Sequence, residues 1–446
     1  MNTARPPLHQ KIIFALGQLG WSLASFGAAN LLVYFYMPPE TGQSAIFPTF
    51  ISQGAILGSF TLIGLINFGG RIFDAITDPL IAQWSDRFEN PIGKRKFWLA
   101  VAGTPLAVFS FLMFVPSSES TLTNEILLTF EIILFYFALT LYVVPYSALI
   151  SELGHDPKDR MFISTLISVT WAIGFLIGSN AYALQAAFEQ SYDSTTAFQI
   201  TIGIFAAIGF VFMYVPVLFL KENQFAYQLP LQLPLKEALS KVMSNSNFRV
   251  FIFSDLIYWL ALSFIQLGVS FYVTLIFGFE KEQASVFLTI SFLTSFLFYV
   301  PINMMVKRFG KKQLVLAGFA IFSLTFLLTA AFPVLPFSAT LIFYFLAIMA
   351  GFPLAAFGII PNAIIADVIY QHEKETGAQQ SGMFYATRNF TMKMGISLAN
   401  LIFPSLLLMG KSTANNTGVV ASAWLAAGLC IIGFLIFLTF KDVPSE

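Results

Sequence analysis

Apolar runs long enough to cross a bilayer recur along almost the whole chain, and Lys and Arg collect in alternate gaps between them. A spanning helix needs about 20 apolar residues. Backbone in hydrocarbon must satisfy its own hydrogen bonds, so such runs become helices. Charged residues make up 10% of the 446 and hydrophobic ones 57%, whereas a soluble domain carries roughly 25% charged residues. The chain therefore reads as an all-α integral membrane protein. Its charged, Pro, Gly and Asn punctuation divides it into about twelve spans of the required length. These lie near 11–37, 53–85, 97–115, 124–151, 161–186, 197–220, 248–278, 283–305, 312–332, 339–369, 382–409 and 417–441.

One side of this succession holds Arg5, Lys11, Arg87, Lys94, Arg95, Lys96, Lys158, Arg160 and most later bases, and the other only Lys281 and Lys411. The positive-inside rule then puts both termini in the cytoplasm. A multi-pass protein of the plasma membrane is expected, or of the inner membrane in a bacterium. No removable signal peptide is expected at the start. Cys430 has no second cysteine to pair with, and the three histidines fall outside the spans, so metal clusters are not expected there. The near-zero net charge gives nucleic-acid binding no support. The partners expected are lipid, a small-molecule substrate and a monovalent cation, with the chain a monomer.

A polar stretch, 221–247, separates residues 1–220 from 248–446, six spans each. Pro234 can open a short amphipathic helix over 235–243. Asp86-Arg87-Phe88 followed by Gly93-Lys94-Arg95-Lys96 is echoed about half a chain later by Lys307-Arg308-Phe309-Gly310-Lys311-Lys312. Two pseudo-symmetric six-helix bundles follow, a construction common in secondary transporters, with the substrate held between repeats near mid-membrane.

Asp74 and Asp78 stand four residues apart inside the second span. A charged side chain at mid-membrane costs at least about 2.5 kcal/mol, and two carboxylates at i,i+4 repel each other. The pair needs a proton, a base or a bound cation. Arg71 offsets part of the charge, so the pair reads first as a cation site. The plainer alternative pairs Asp74 with Arg71 and leaves Asp78 at the end of the span. Gly69 and Gly70 read as a surface for close helix approach. Asp255 and Glu131 also stand within apolar runs, Asp255 either lining a path with Tyr258 and Gln266 or lying at headgroup level beside Arg249, while Arg388 is near enough the cytoplasmic end of its span to snorkel.

Arg71-Ile-Phe-Asp74-Ala-Ile-Thr77-Asp78-Pro79, with the twelve spans and the duplicated basic loop, resembles the glycoside-pentoside-hexuronide:cation symporters. These belong to the major facilitator superfamily and include the melibiose permeases and, more distantly, the lysolipid symporters of animals. The resemblance implies that Asp74 and Asp78 bind the coupling cation, with Thr77 and Thr140 shaping the site. Val143 stands where the family has a further Asp. Lys393 matches a membrane-embedded lysine that pairs with the carboxylates when the cation is absent. Ser22, beside Trp21, and Ser168 stand where melibiose permeases hold sugar with an acid and an arginine. Tyr142, Trp171 and Gln266 complete the candidate substrate set, and Asp86, Arg87, Lys94 and Arg95 a gating loop.

Cation-coupled symport by alternating access is the expected activity. Na+ is favoured over H+, because two carboxylates and two hydroxyls can replace much of a small cation's hydration. A sugar or glycoside is the first substrate class and an amphiphile such as a lysolipid the second. A Mg2+-dependent intramembrane prenyltransferase needs two facing Asp-rich motifs, and only one Asp-x-x-x-Asp of this kind is present. Neither an enzyme nor a cofactor beyond the coupling cation is expected.

Overall fold

The computed structural model describes residues 5–42, 44–226, 243–376 and 381–441. Most of linker 221–247, including the helix expected over 235–243, lies outside the described residues. Among the described residues, nine helices have the length and hydropathy to cross a membrane. The longest, Glu282–Ala331, holds two spans, because Gly310 (φ 83°) breaks the helical path; a left-handed conformation is open to glycine at little cost. Two further helices miss the criterion for separate reasons. Leu62–Arg87 carries too much charge, and Lys96–Leu112 is only 17 residues long. Together these make twelve spanning segments.

We number them α1 (Leu8–Asn30), α2 (Leu62–Arg87), α3 (Lys96–Leu112), α4 (Thr121–Leu153), α5 (Pro157–Ser179), α6 (Ser194–Phe219), α7 (Ser246–Phe271), α8 (282–309), α9 (311–331), α10 (Ala339–Thr376), α11 (Ser381–Leu406) and α12 (Thr417–Leu438). Several begin on the residue that a helix start calls for. Ser120, Asp156, Asp193 and Asn245 each accept a hydrogen bond from the backbone N–H three residues on, satisfying one of the donors a helix leaves unpaired.

The chain forms two compact units. The first comprises Met1–Met37, Phe47–Gly54 and Leu65–Gln232; the second comprises Pro38–Ile46, Ala55–Gly64 and Leu233–Glu446. The division departs from a simple cut near residue 220, since two pieces of the α1–α2 connection pack with the second unit. The second span also starts later than the hydropathy suggests. Ala55–Ile56 and Phe60–Thr61 pair as a small hairpin with Leu57 and Gly58 both at positive φ, and helix begins only at Leu62. Local turn chemistry outweighs an apolar run there.

In the first unit, α1 packs on α5 and α6, and α3 on α4 and α6. The Tyr146 ring stacks on Phe14 with centroids 4.4 Å apart. A second aromatic cluster gathers Tyr34, Phe35, Phe47, Phe114 and Phe198. In the second unit, α7 packs on α11 and α12, and Tyr258 stacks on Phe357 at 4.0 Å. Lys411 is anchored there by Glu40 at 2.5 Å and by the Pro38 carbonyl at 3.2 Å.

The two units repeat the same ties. In the first, Arg95 pairs with Glu152, and Lys96 Nζ donates to the Leu220 carbonyl at 2.9 Å. In the second, Lys311 pairs with Asp367, and Lys312 Nζ donates to the Phe440 carbonyl at 2.6 Å. Gln10 accepts from Lys221 N at 2.8 Å and donates to the Phe219 carbonyl at 3.3 Å, joining the start of α1 to the chain after α6. Asn247 does the same between α7 and the chain after α12, with both bonds to Lys441 at 2.9 Å.

Candidate functional site

The Asp74 carboxylate of α2 meets the Thr140 hydroxyl of α4 within the first unit. α2 approaches α4 closely because Gly70 has no side chain: a Cβ there would sit 2.6 Å from the Tyr136 ring. Gly69 faces open space instead and takes no part in this approach. Asp74 is buried, and Thr140 Oγ1 donates to its Oδ1 at 2.6 Å. Thr77 Oγ1 lies 2.9 Å from the Phe73 carbonyl and 3.4 Å from Thr140 Oγ1. A hydroxyl has one proton. Thr140 donates its proton to Asp74, and Thr77 has carbonyls of its own helix and the Thr140 oxygen as acceptors for its proton. The two hydroxyls and the Asp74 carboxylate bring oxygens of α2 and α4 together, the ligand type a hard cation takes.

Two prolines leave carbonyls of these helices without their ladder donors. Pro79 and Pro145 lie inside α2 and α4. Each lacks an N–H, so the ladder bonds to the carbonyls of Ala75 and Leu141 cannot form. Those residues adjoin Asp74 and Thr140 in the chain. Asp78 follows half-buried one turn after Asp74. Arg71 lies with its guanidinium 5.1 Å from the Tyr136 ring centroid, and the Tyr136 hydroxyl donates to Asn67 at 2.9 Å. Lys393 stands half-buried on α11, in the second unit.

The candidate substrate residues lie on α1, α4, α5 and α7, and several are spent on packing. Tyr142 is fully buried, and its hydroxyl donates to the Met213 carbonyl at 2.9 Å. It belongs to the core of the first unit, where its ring presents no face to a ligand. Ser22 donates to the Leu19 carbonyl at 3.1 Å, and Ser168 to the Ser164 carbonyl at 2.9 Å. Such bonds to a residue's own helix are the usual fate of a membrane hydroxyl. Trp21 is half-buried, and Trp171 is exposed and stacks on Phe175. Gln266 lies on α7 of the second unit.

Asp86 and Arg95 of the loop form a tight cluster with Ser85 and Glu152 at one end of the first unit. Arg95 Nη2 reaches Glu152 at 2.6 Å and Asp86 at 2.5 Å, and Nη1 donates to Ser85 at 2.7 Å. Burial alone lowers the Arg95 pKa, but Glu152 and Asp86 more than offset it and leave it above the ordinary arginine value. Glu222 accepts the backbone N–H groups of Arg95 and Lys96 at 2.8 and 2.7 Å, capping α3 from a distant point in the chain. Burial raises its carboxyl pKa, while the two donors pull it back. Arg87 is exposed and Lys94 half-buried. Glu152 and Glu222 had no motif to announce them; their signal is an acid at the end of α4 and of the chain after α6, opposite a basic loop.

A second polar cluster joins α7, α10 and α11 of the second unit. Arg388 grips the buried Asp255 through two nitrogens and donates through a third to Asn362. Asp255 and Arg388 stand out in the sequence as charges in apolar runs; Asn362 does not.

A family profile described as MFS/sugar transport protein matches residues 13–440. The chain is 26% identical over 477 residues to sodium-dependent lysophosphatidylcholine symporter 1 of Xenopus tropicalis, covering 96% of this chain and 86% of the relative. It is 24% identical over 413 residues to a putative sulfoquinovose importer of Escherichia coli (strain K12), covering 91% and 82%. Its fold matches the crystal structure of the nucleoside transporter NupG with TM-score 0.68 at 18% identity, covering 97% of this chain and 99% of that one.

Proposed function

From the premise that this chain belongs to the MFS/sugar transport protein family, we propose that it couples entry of Na+ at Asp74 and Asp78 to movement of a sugar or glycoside by alternating access. Membership makes it a transporter and not an enzyme, and its relatives include symporters; the prenyltransferase alternative is set aside. The observation that carries the cation assignment is the group of oxygens on Asp74, Thr77 and Thr140, drawn together from two helices. A hard cation takes oxygen ligands, whereas a proton needs one carboxylate and no converging lone pairs. Lys393 is assigned as the internal competitor for the carboxylates. Both termini are placed in the cytoplasm of a plasma-membrane monomer, with Asp86, Arg87, Lys94 and Arg95 as the gating loop.

A lysolipid or similar amphiphile is the second substrate reading. It is favoured by the hydroxyls of Ser22 and Ser168, which are turned onto their own helices, and by the similarity to a lysophosphatidylcholine symporter. A thermal-shift screen of mono- and disaccharides, aryl glycosides and lysolipids, with Na+ and with K+, separates the two. Stabilisation by a saccharide that requires Na+ is expected. Sodium-dependent stabilisation by lysolipids alone would replace the first reading with the second.

A further inference from the structure

The second unit contains an ion pair that the cation site does not use. Asp255 lies about 13 Å along α7 from its first residue, and Arg388 about 10 Å along α11, at 1.5 Å per residue. Arg388 Nε donates to Asp255 Oδ2 at 3.0 Å, Nη2 to Oδ1 at 3.3 Å, and Nη1 to Asn362 Oδ1 on α10 at 2.6 Å. The Asp255 side chain is 2% exposed and that of Arg388 11%, whereas Asn362 and the neighbouring Asn389 are exposed. An exposed amide turned to hydrocarbon is costly, so polar groups within spans face a bundle interior or a water-filled path. This edge of the cluster is where a solute can arrive.

A guanidinium holds five N–H donors in one plane. Asp255 fills the Nε–Nη2 edge and Asn362 takes one donor of Nη1, leaving one N–H on each of Nη1 and Nη2 without an acceptor among the described residues. We infer that this end of Arg388, flanked by Asn362, binds two adjacent hydroxyl oxygens of a sugar ring, with Asp255 as the positioning residue that fixes the guanidinium plane. The pair is already charge-neutral, so a further anion would be uncompensated in a medium of low dielectric. A neutral diol adds no charge. Hydroxyls both donate and accept, and here the guanidinium supplies donors while the Asn362 carbonyl supplies an acceptor. The first unit, where Ser22 and Ser168 bond their own helices, lacks such charged recognition at the corresponding candidate positions. The inference rests on the sugar reading proposed above.

Its test uses the full chain in lipid nanodiscs. Binding of the p-nitrophenyl glycosides of galactose, glucose and xylose, and of their monodeoxy analogues, is titrated calorimetrically in Na+. Arg388→Gln weakens the tightest glycoside by about 10- to 150-fold, the loss of a charge-assisted hydrogen bond. One monodeoxy analogue shows the same loss on the wild-type chain and no further loss on the variant. The double variant Asp255→Asn/Arg388→Gln, which leaves no buried charge unpaired, shows the same deficit. Stabilisation by Na+ alone is unchanged in both. Glycoside affinity within threefold of wild type in the double variant, or a deoxy penalty undiminished by Arg388→Gln, overturns this site and leaves the sugar reading standing. A wild-type chain that binds Na+ and lysolipid but no glycoside overturns the sugar reading and this inference with it.

Discussion

Thr140 Oγ1 donates to Asp74 Oδ1 at 2.6 Å, tying α4 to the buried carboxylate of α2. Thr140→Val keeps the shape and removes both the bond and the ligand oxygen. Losing a hydrogen bond to a charged group costs about 1.5–3 kcal/mol, so the apparent Na+ affinity is expected to fall by about 10- to 150-fold. Thr140→Ser restores most of it. Sodium titrations of thermal stability check this; Thr140→Val at wild-type affinity removes Thr140 from the site.

Arg95 bridges Glu152 and Asp86, and it is 5% exposed against 8% for Glu152 and 39% for Asp86. Arg95→Gln leaves Glu152 buried without its charge partner, a change that costs about 3–5 kcal/mol for a broken buried pair. Asp86→Ala leaves the Arg95–Glu152 pair intact and is expected to cost under about 1 kcal/mol, as for an exposed ion pair. Melting temperatures of the purified variants should fall in that order. Asp86→Ala is expected to act instead on the gate, shifting spin-label distance distributions toward the inward-open form and slowing turnover more than it weakens binding.

Gly93 has φ 127°, and a Cβ there would stand 2.5 Å from Glu222 Oε2. Gly93→Ala therefore imposes both backbone strain and displacement of the α3 cap, and a lowered melting temperature is expected. Glu222 has a raised carboxyl pKa in the fold, so it holds its proton to higher pH than it does in the unfolded chain. Its contribution to stability falls as pH rises from the ordinary glutamate value, about 4.3, through the raised one. Glu222→Gln is expected to flatten the stability profile across that window.

The spans, the duplicated basic loop and the Asp74/Asp78 pair were legible because hydrocarbon makes each of them costly or conspicuous: long apolar runs, bases on one side, acids where no acid is cheap. The basic residues of the loop echo, Arg95 and Lys311, are legible in the sequence; their acidic partners Glu152 and Asp367 emerge only in the fold. Neutral partners were not legible. Gln10, Asn247 and Asn362 are ordinary amides until three-dimensional packing supplies their backbone or guanidinium partners. Tyr142 was misplaced for the same reason, since an aromatic in a span is equally compatible with a ligand face and with the Met213 carbonyl it meets. The hairpin ahead of α2 was hidden by residues apolar enough to extend the span.

Cation coupling through the α2 carboxylates is tested most directly by accumulation in proteoliposomes under an imposed inward Na+ gradient, following the radiolabelled saccharide that Na+-dependent thermal shift selects. The wild-type chain should concentrate it above the bath and lose that accumulation when Na+ is equal on both sides. Asp74→Asn and Asp78→Asn, folded by their melting curves, should not accumulate it at all. Gradient-driven accumulation at wild-type level in both single variants would contradict the assignment.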